Sequence, residues 1–335
     1  LSASAAEIVS RLDFDAARRA VRTVARPTPL MEAPLLSELA GVPVLLKLES
    51  LQPTGSFKVR GAAARLEMLD AEERRSGVVA CSSGNHGRAV SWVARRLGIH
   101  ARVYVPDWVD PLKLAGIRAR GAEAVLGGAT YDEAEARALE DARASGRTYV
   151  SAYDDPGVIA GQGTLALEVL DALDEPPGAI LVPLSGGGLA GGIAAALATR
   201  PGSTAPRCVA VSAQRAAVML ASLRAGSPVA LPEEETVASA LSGGIGQENR
   251  WSFPLVRALV TEHVVVAEEE ILEAMAFAWR ELRLIVEGGG AVGLAALLAG
   301  RWHPRPEDDG RAVVVVVSGG NVSRETLASV LAGRR

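Results

Sequence analysis

Two cysteines in 335 residues are too few for a disulfide framework. Cys81 and Cys208 each sit inside a short apolar run, which reads as two buried thiols in a reducing compartment. No apolar segment approaches the roughly 18 residues that cross a bilayer. The N-terminal stretch also lacks a basic segment followed by an apolar run and a cleavage site, so the expected location is cytoplasmic, with no membrane partner. Charge of one sign is scarce as well: 35 Lys and Arg against 39 Asp and Glu leave a net charge of -4. That balance provides no basic field for nucleic acid, and a small molecule is the expected partner. The acidic runs Glu233-Glu234-Glu235 and Glu268-Glu269-Glu270 read as a solvated loop and a helix start, and no metal ligand is assigned. Internal repeats and low-complexity tracts are absent.

What is present is a 49% hydrophobic chain, long enough for two domains or one large α/β body. Short β-branched runs alternate with longer amphipathic stretches. The runs are Val44 to Leu48, Gly77 to Cys81, Ala101 to Val105, Ala122 to Leu126, Ala179 to Leu184, Arg207 to Ser212, His263 to Ala267 and Ala312 to Val317. They are nearly continuously apolar, as parallel strands covered on both faces must be. The order predicts an α/β architecture with parallel-rich sheets. Helices are predicted over Asp132 to Ser145 and Glu268 to Leu284, the second with acids in its first turn, where they complement the helix dipole.

Four segments carry chemistry. Glu49 to Arg60 places Lys58 just inside a helix start, where the positive dipole end disfavours the ammonium and makes a better amine nucleophile. Ser185-Gly186-Gly187-Gly188-Leu189-Ala190-Gly191-Gly192 follows a strand and opens an Ala-rich helix. Bare amides and glycines there suit a phosphate. Gly186, Gly188 and Gly191 also satisfy G-x-G-x-x-G, so a nicotinamide oxidoreductase is a rival reading. That rival expects an acid about 20 residues on to hold a ribose. The next strand ends instead in Val211-Ser212-Ala213. Ser82-Ser83-Gly84-Asn85-His86-Gly87 joins another strand to a helix and offers amides and hydroxyls to a carboxylate, with the Asn85 amide available to a phenolic oxygen. His86 reads as a structural or supporting group. Ser318-Gly319-Gly320-Asn321 ends the last strand, where polar residues face a ligand crevice and a Ser hydroxyl suits a ring nitrogen.

Together these segments resemble the threonine dehydratase and serine racemase group of fold-type II pyridoxal-phosphate enzymes. The resemblance also takes in Pro27-Thr28-Pro29-Leu30, Asp154-Asp155-Pro156 and Ile159 to Thr164, and so spans nearly the whole chain. It implies a tryptophan synthase β-like fold with parallel-rich sheets in two three-layer domains. Residues 1–76 with 153–335 would form the large cofactor-binding domain, and 77–152 a small mobile one. Pyridoxal 5'-phosphate is the implied cofactor, carried by Lys58, with Phe57 beside it, Asn85 on its phenolic oxygen, Ser185, Gly186, Gly187, Gly188 and Leu189 around its phosphate, and Ser318 at its ring nitrogen. Ser82, Ser83, Gly84, Asn85 and His86 would bind the substrate.

The implied activity is loss of water, then ammonia, from a small β-hydroxy amino acid to give a 2-keto acid, in a homodimer or homotetramer. Related racemases use a serine at the position of Ser83 on the opposite face of the substrate, which makes Ser83 a second catalytic candidate and an amino acid racemase an alternative. A non-catalytic ligand-binding protein is a further one. Ion-dependent relatives carry carboxylates where this chain has Ser212 and Val218, so no divalent ion is expected. Ser239-Ala240 replaces the usual Asp-Gly pair, whereas Gly243-Gly244-Ile245-Gly246 and Val286 to Ala291 are similar to the hydroxyectoine-utilization dehydratase branch.

Overall fold

A computed structural model describes residues 3–82, 84–107, 109, 111–200, 205–308 and 310–333. Its ten strands are β1 (Leu30–Glu32), β2 (Val44–Leu48), β3 (Val78–Cys81), β4 (Ala101–Val105), β5 (Glu123–Leu126), β6 (Thr148–Tyr149), β7 (Ala179–Pro183), β8 (Arg207–Ala213), β9 (Glu262–Val266) and β10 (Val313–Val317). They form a six-stranded sheet in the order β1-β2-β10-β7-β8-β9 and a four-stranded sheet in the order β5-β4-β3-β6. Every pairing is parallel except that of β1 with β2.

The pleat explains how five consecutive valines are buried in β10. Val313, Val315 and Val317 pack with the Gly288–Leu298 helix on one face, while Val314 and Val316 pack with the Pro156–Asp171 and Gly188–Ala198 helices on the other. A sheet with apolar cover on both sides is a three-layer body. The four-stranded sheet repeats the plan. Val78 and Ala80 face the Asn85–Leu97 helix, and Val79 and Cys81 face the Tyr131–Ser145 helix.

The Lys58–Glu67 helix lies between the two bodies: Ala64 joins the core of the larger sheet, whereas Val59, Ala62, Ala63 and Leu66 join that of the smaller. Its anchor is electrostatic. Arg60 donates to both carboxylate oxygens of Glu49 at 2.8 Å and pairs with Glu168 at 2.8 Å. Glu168 also receives Lys47 Nζ at 2.5 Å. Lys47, Glu49 and Arg60 are all buried, so each charge relies on its partners rather than on water.

The fold class matches the expectation, and so do the strands anticipated in the sequence, apart from shifts of a residue at their ends. β1 and β6 were not anticipated, because three and two residues are too short to show a period of two. The predicted Glu268 to Leu284 helix ends earlier, at Arg280. Apolar spacing continues through Leu282 and Leu284, but Arg283 takes a left-handed φ of 58°, which the helix cannot contain.

Candidate active site

Four loops meet between the sheets, and each leaves the carboxyl end of a parallel strand: β2, β3, β7 and β10. Lys58 is the first residue of its helix. Its Nζ donates to the Ala152 carbonyl at 2.7 Å and stands 5.1 Å from the centre of the Phe57 ring. Burial pulls the ammonium down to about 8, and the charge of Glu287 opposes that shift. A lysine so placed supplies neutral amine near neutral pH. The strand ends hold the loop in position, since Phe57 N donates to Ser318 O at 3.0 Å and Ser56 bridges Gly319.

After β7, Gly187 takes φ 84° and opens the Gly188–Ala198 helix with no side chain on its N-cap. The amides of that first turn therefore remain available for an anion. Glycine is obligatory here. A Cβ on Gly187 would meet Met219 Cε at 2.7 Å, one on Gly188 would meet the Tyr153 carbonyl at 2.7 Å, and one on Gly186 would enter the Tyr153 ring. Ser185 is half-buried beside the loop and Leu189 is buried beneath it.

Facing these elements, Ser82, Gly84 and Asn85 lead into the Asn85–Leu97 helix, and Gly84 N donates to Ser82 Oγ at 3.1 Å. Ser83 lies outside the described residues. Asn85 Nδ2 donates to Glu287 Oε1 at 2.6 Å, and its Oδ1 accepts from Asn321 Nδ2 at 2.6 Å. His86 is turned inward. Its Nε2 lies 2.9 Å from Val150 O, and since a carbonyl only accepts, the proton is on Nε2. Burial, and then the charge of Lys58, push the imidazole down to about 3, so it stays neutral. Ser318 is buried at the end of β10, with Oγ 3.4 Å from Gly289 O.

Three participants were not singled out in the sequence. Glu287, at the head of the Gly288–Leu298 helix, reaches both Asn85 and, through its charge, Lys58. Tyr153 packs its ring on the glycine loop. Asp154 accepts from the backbone N–H groups of Arg250, Trp251 and Ser252 at 2.8 to 2.9 Å, pinning the segment that supports Gly186 through Ser252 Oγ. Asp154 had appeared only within a motif; Glu287 had a local signal, an isolated acid directly before a Gly-Gly-Gly helix start.

Pyridoxal phosphate fits these residues. Ser56 Oγ, next to Lys58's loop, and Gln162 Oε1, 2.9 Å from where a Gly188 Cβ would stand, are buried without hydrogen-bond partners. Such orphans mark where a polar group belongs. A glycine cradle at a helix start, a half-buried lysine of lowered basicity and a buried serine at a strand end are the donors that a phosphate, an aldehyde and a pyridine nitrogen require.

Comparison with known proteins agrees. The family model "Pyridoxal-phosphate dependent enzyme" matches residues 21–319. The L-threonine ammonia-lyase of Geobacter sulfurreducens is 39% identical over 313 residues, which cover 93% of this chain and 75% of that one. The processed form of threonine deaminase isoform 2 from Solanum lycopersicum superposes with a TM-score of 0.86 at 32% identity, covering 98% of this chain and 94% of that one. Maize serine racemase superposes with a TM-score of 0.85 at 31% identity, covering 96% and 97%.

Proposed function

The chain belongs to the pyridoxal-phosphate dependent enzymes of fold type II and takes pyridoxal phosphate as its cofactor, and from that premise we propose that it is a carbon-nitrogen lyase of the threonine ammonia-lyase kind. Its substrate is a small β-hydroxy amino acid, threonine, serine or a hydroxyectoine-derived relative. Water and then ammonia are lost, and a 2-keto acid is released. The observation that carries the reading is Lys58, an amine of lowered basicity at the meeting point of four strand-end loops.

When bound, the cofactor supplies an electron sink for the charge left at the substrate α-carbon. Lys58 would hold it covalently with Phe57 alongside, and its amine, of lowered basicity, would serve as the base for the substrate α-proton. Ser185, Gly186, Gly187, Gly188 and Leu189 would hold its phosphate. Asn85, bonded to Glu287 here, would serve its phenolic oxygen, and Ser318 its ring nitrogen. Ser82, Ser83, Gly84, Asn85 and His86 receive the substrate carboxylate. Closure of residues 77–152 onto the remainder brings that loop to the substrate and excludes water. The enzyme works in the cytoplasm as a homodimer or homotetramer.

Borohydride reduction of the holoenzyme followed by peptide mapping should place the cofactor on Lys58, and Lys58→Ala should abolish release of 2-oxobutanoate and ammonia from threonine. Recovery of the label on Lys47 would overturn the assignment. The likeness to maize serine racemase keeps racemisation as the second reading. Inversion of serine without keto acid would favour it.

A further inference from the structure

Asn321, the last residue of the turn after β10, lies against the loop that leads into Lys58. Gly320 N donates to Gly55 O at 2.9 Å, and a Cβ on Gly55, which takes φ 77°, would run into Asn321 Oδ1. Space therefore fixes the plane of the Asn321 amide. Its partners fix which end is which. Arg88 Nη1 donates to Oδ1 at 2.8 Å, while Nδ2 donates to the Thr54 carbonyl at 2.9 Å and to Asn85 Oδ1 at 2.6 Å. A guanidinium only donates and a carbonyl only accepts. The reversed amide would set two donors together at Arg88 and two acceptors together at Thr54.

That direction passes on to Asn85. Because Asn321 presents an N–H, Asn85 presents Oδ1 to it, which turns Nδ2 toward Glu287 Oε1 at 2.6 Å. An amide nitrogen carries two protons. One goes to Glu287, and among the described residues the other has no partner. A half-buried donor left free where four loops meet marks the place of an acceptor. Arg88 and Asn85 stand three residues apart on the Asn85–Leu97 helix, whereas Asn321 and Thr54 follow strands of the larger sheet, so the chain of bonds also spans the two bodies. The charge on Arg88 polarises that chain and strengthens Asn321 as a donor.

We propose that Asn321, held in one direction by Arg88 and Thr54, is a positioning residue that fixes the Asn85 amide with its free N–H turned to the cofactor's phenolic oxygen. The role rests on the reading of Asn85 given above and adds the groups that enforce it. Without Asn321 the Asn85 amide keeps only its bond to Glu287, and its free N–H loses a fixed direction. A donor at the phenolic oxygen favours the ionised form of that oxygen. Its loss is therefore read in the cofactor itself.

The test follows the absorbance of the holoenzyme at fixed pH without substrate. The lysine-bound cofactor absorbs at longer wavelength with its phenolic oxygen ionised and at shorter wavelength with it protonated. Asn85→Ala removes the donor outright and should lower the ratio of the long band to the short one roughly tenfold. Asn321→Leu keeps the donor and removes what aims it, and should lower the ratio roughly threefold or more. An unchanged ratio in Asn321→Leu, with that of Asn85→Ala lowered, overturns the inference and leaves Asn85 on the phenolic oxygen. If Asn321→Leu does not fold, Arg88→Met at the half-buried far end of the chain decides by the same reading. An unchanged ratio in Asn85→Ala overturns the placement of Asn85 and this inference together. The lyase reading is judged apart from both, by the keto acid that the wild type releases from threonine.

Discussion

Asn85 and Glu287 share a hydrogen bond of 2.6 Å that joins the two sheets. Asn85 opens the helix behind β3, and Glu287 stands at the head of the helix that covers β10. The same carboxylate is the charge that holds Lys58 up against burial. Glu287→Gln keeps the shape of the side chain and removes the charge. Burial then acts alone and Lys58 titrates below about 8. Capture of pyridoxal phosphate by the cofactor-free enzyme needs neutral amine, so its rate should reach a plateau at lower pH in the variant. Stopped-flow absorbance across pH reads this directly. An identical profile shows that Glu287 does not act on Lys58.

Arg60 and Glu49 are each no more than 1% exposed and are joined by two bonds of 2.8 Å. Arg60→Met leaves Glu49 buried beside Thr28 and Gln52, with no cation on it. Removing one partner of such a pair costs about 3–5 kcal/mol. Urea denaturation should show a loss of that size, and the double variant Glu49→Leu with Arg60→Met should recover much of it. If the double variant is as unstable as the single, the cost lies in lost packing rather than in the unpaired charge.

The placement of the glycine loop, Lys58 and Ser318 at strand ends was legible because each depends on local sequence: a strand, a turn and, for the first two, a helix start within a dozen residues. The partners of those groups were not. Glu287 is 202 residues from Asn85, and nothing in either segment names the other. Asp154 reads as an ordinary acid before a helix, yet its oxygens hold the backbone at Arg250, Trp251 and Ser252. Tyr153 passed unremarked for the same reason, since its role is the space it fills against Gly186 and Gly188. Sequence shows which residues make elements and loops; which loops face each other is decided by tertiary packing.

His86 should set part of the acid sensitivity. Its folded pKa is pushed down to about 3 from the ordinary 6.5. Below 6.5 the unfolded chain takes up a proton that the folded one refuses, so stability falls with pH across that interval. His86→Gln keeps a donor for the Val150 carbonyl and removes the titration. Its unfolding free energy should therefore change less between pH 6.5 and pH 5 than that of the wild type. Parallel curves would show that His86 takes up a proton equally well in both states.

Turnover should not depend on magnesium or calcium. Ser212 lies inside β8 at 2% exposure, and Val218 begins the Val218–Ala225 helix with an apolar side chain. Hard cations require several oxygen ligands, and this pair offers one hydroxyl. Exhaustive chelation should leave the rate of keto acid formation unchanged. A large loss restored by either ion would place the ligands elsewhere.

Ser318 should govern reaction choice. It does not cap the following helix; Ser323 does, accepting from Thr326 N at 3.0 Å. The Ser318 hydroxyl has only a long contact of 3.4 Å to Gly289 O, and its carbonyl is held by Phe57 N at 3.0 Å, so the side chain is fixed at the end of β10 with hydrogen-bonding capacity to spare. A hydroxyl is neutral and serves a ring nitrogen without protonating it. A carboxylate at the same place would hold that nitrogen charged and draw electron density away from the substrate α-carbon. With serine there, the charge left by proton removal would stay near the α-carbon, where expulsion of the β-hydroxyl would discharge it. Ser318→Ala removes one neutral hydrogen bond, worth about 1 kcal/mol, and should weaken cofactor retention roughly fivefold, read as loss of visible absorbance on dilution. Ser318→Asp should slow elimination by more than tenfold even with the cofactor saturating. Full elimination activity in the Asp variant would show that Ser318 does not meet the ring and that reaction choice is set elsewhere in the site.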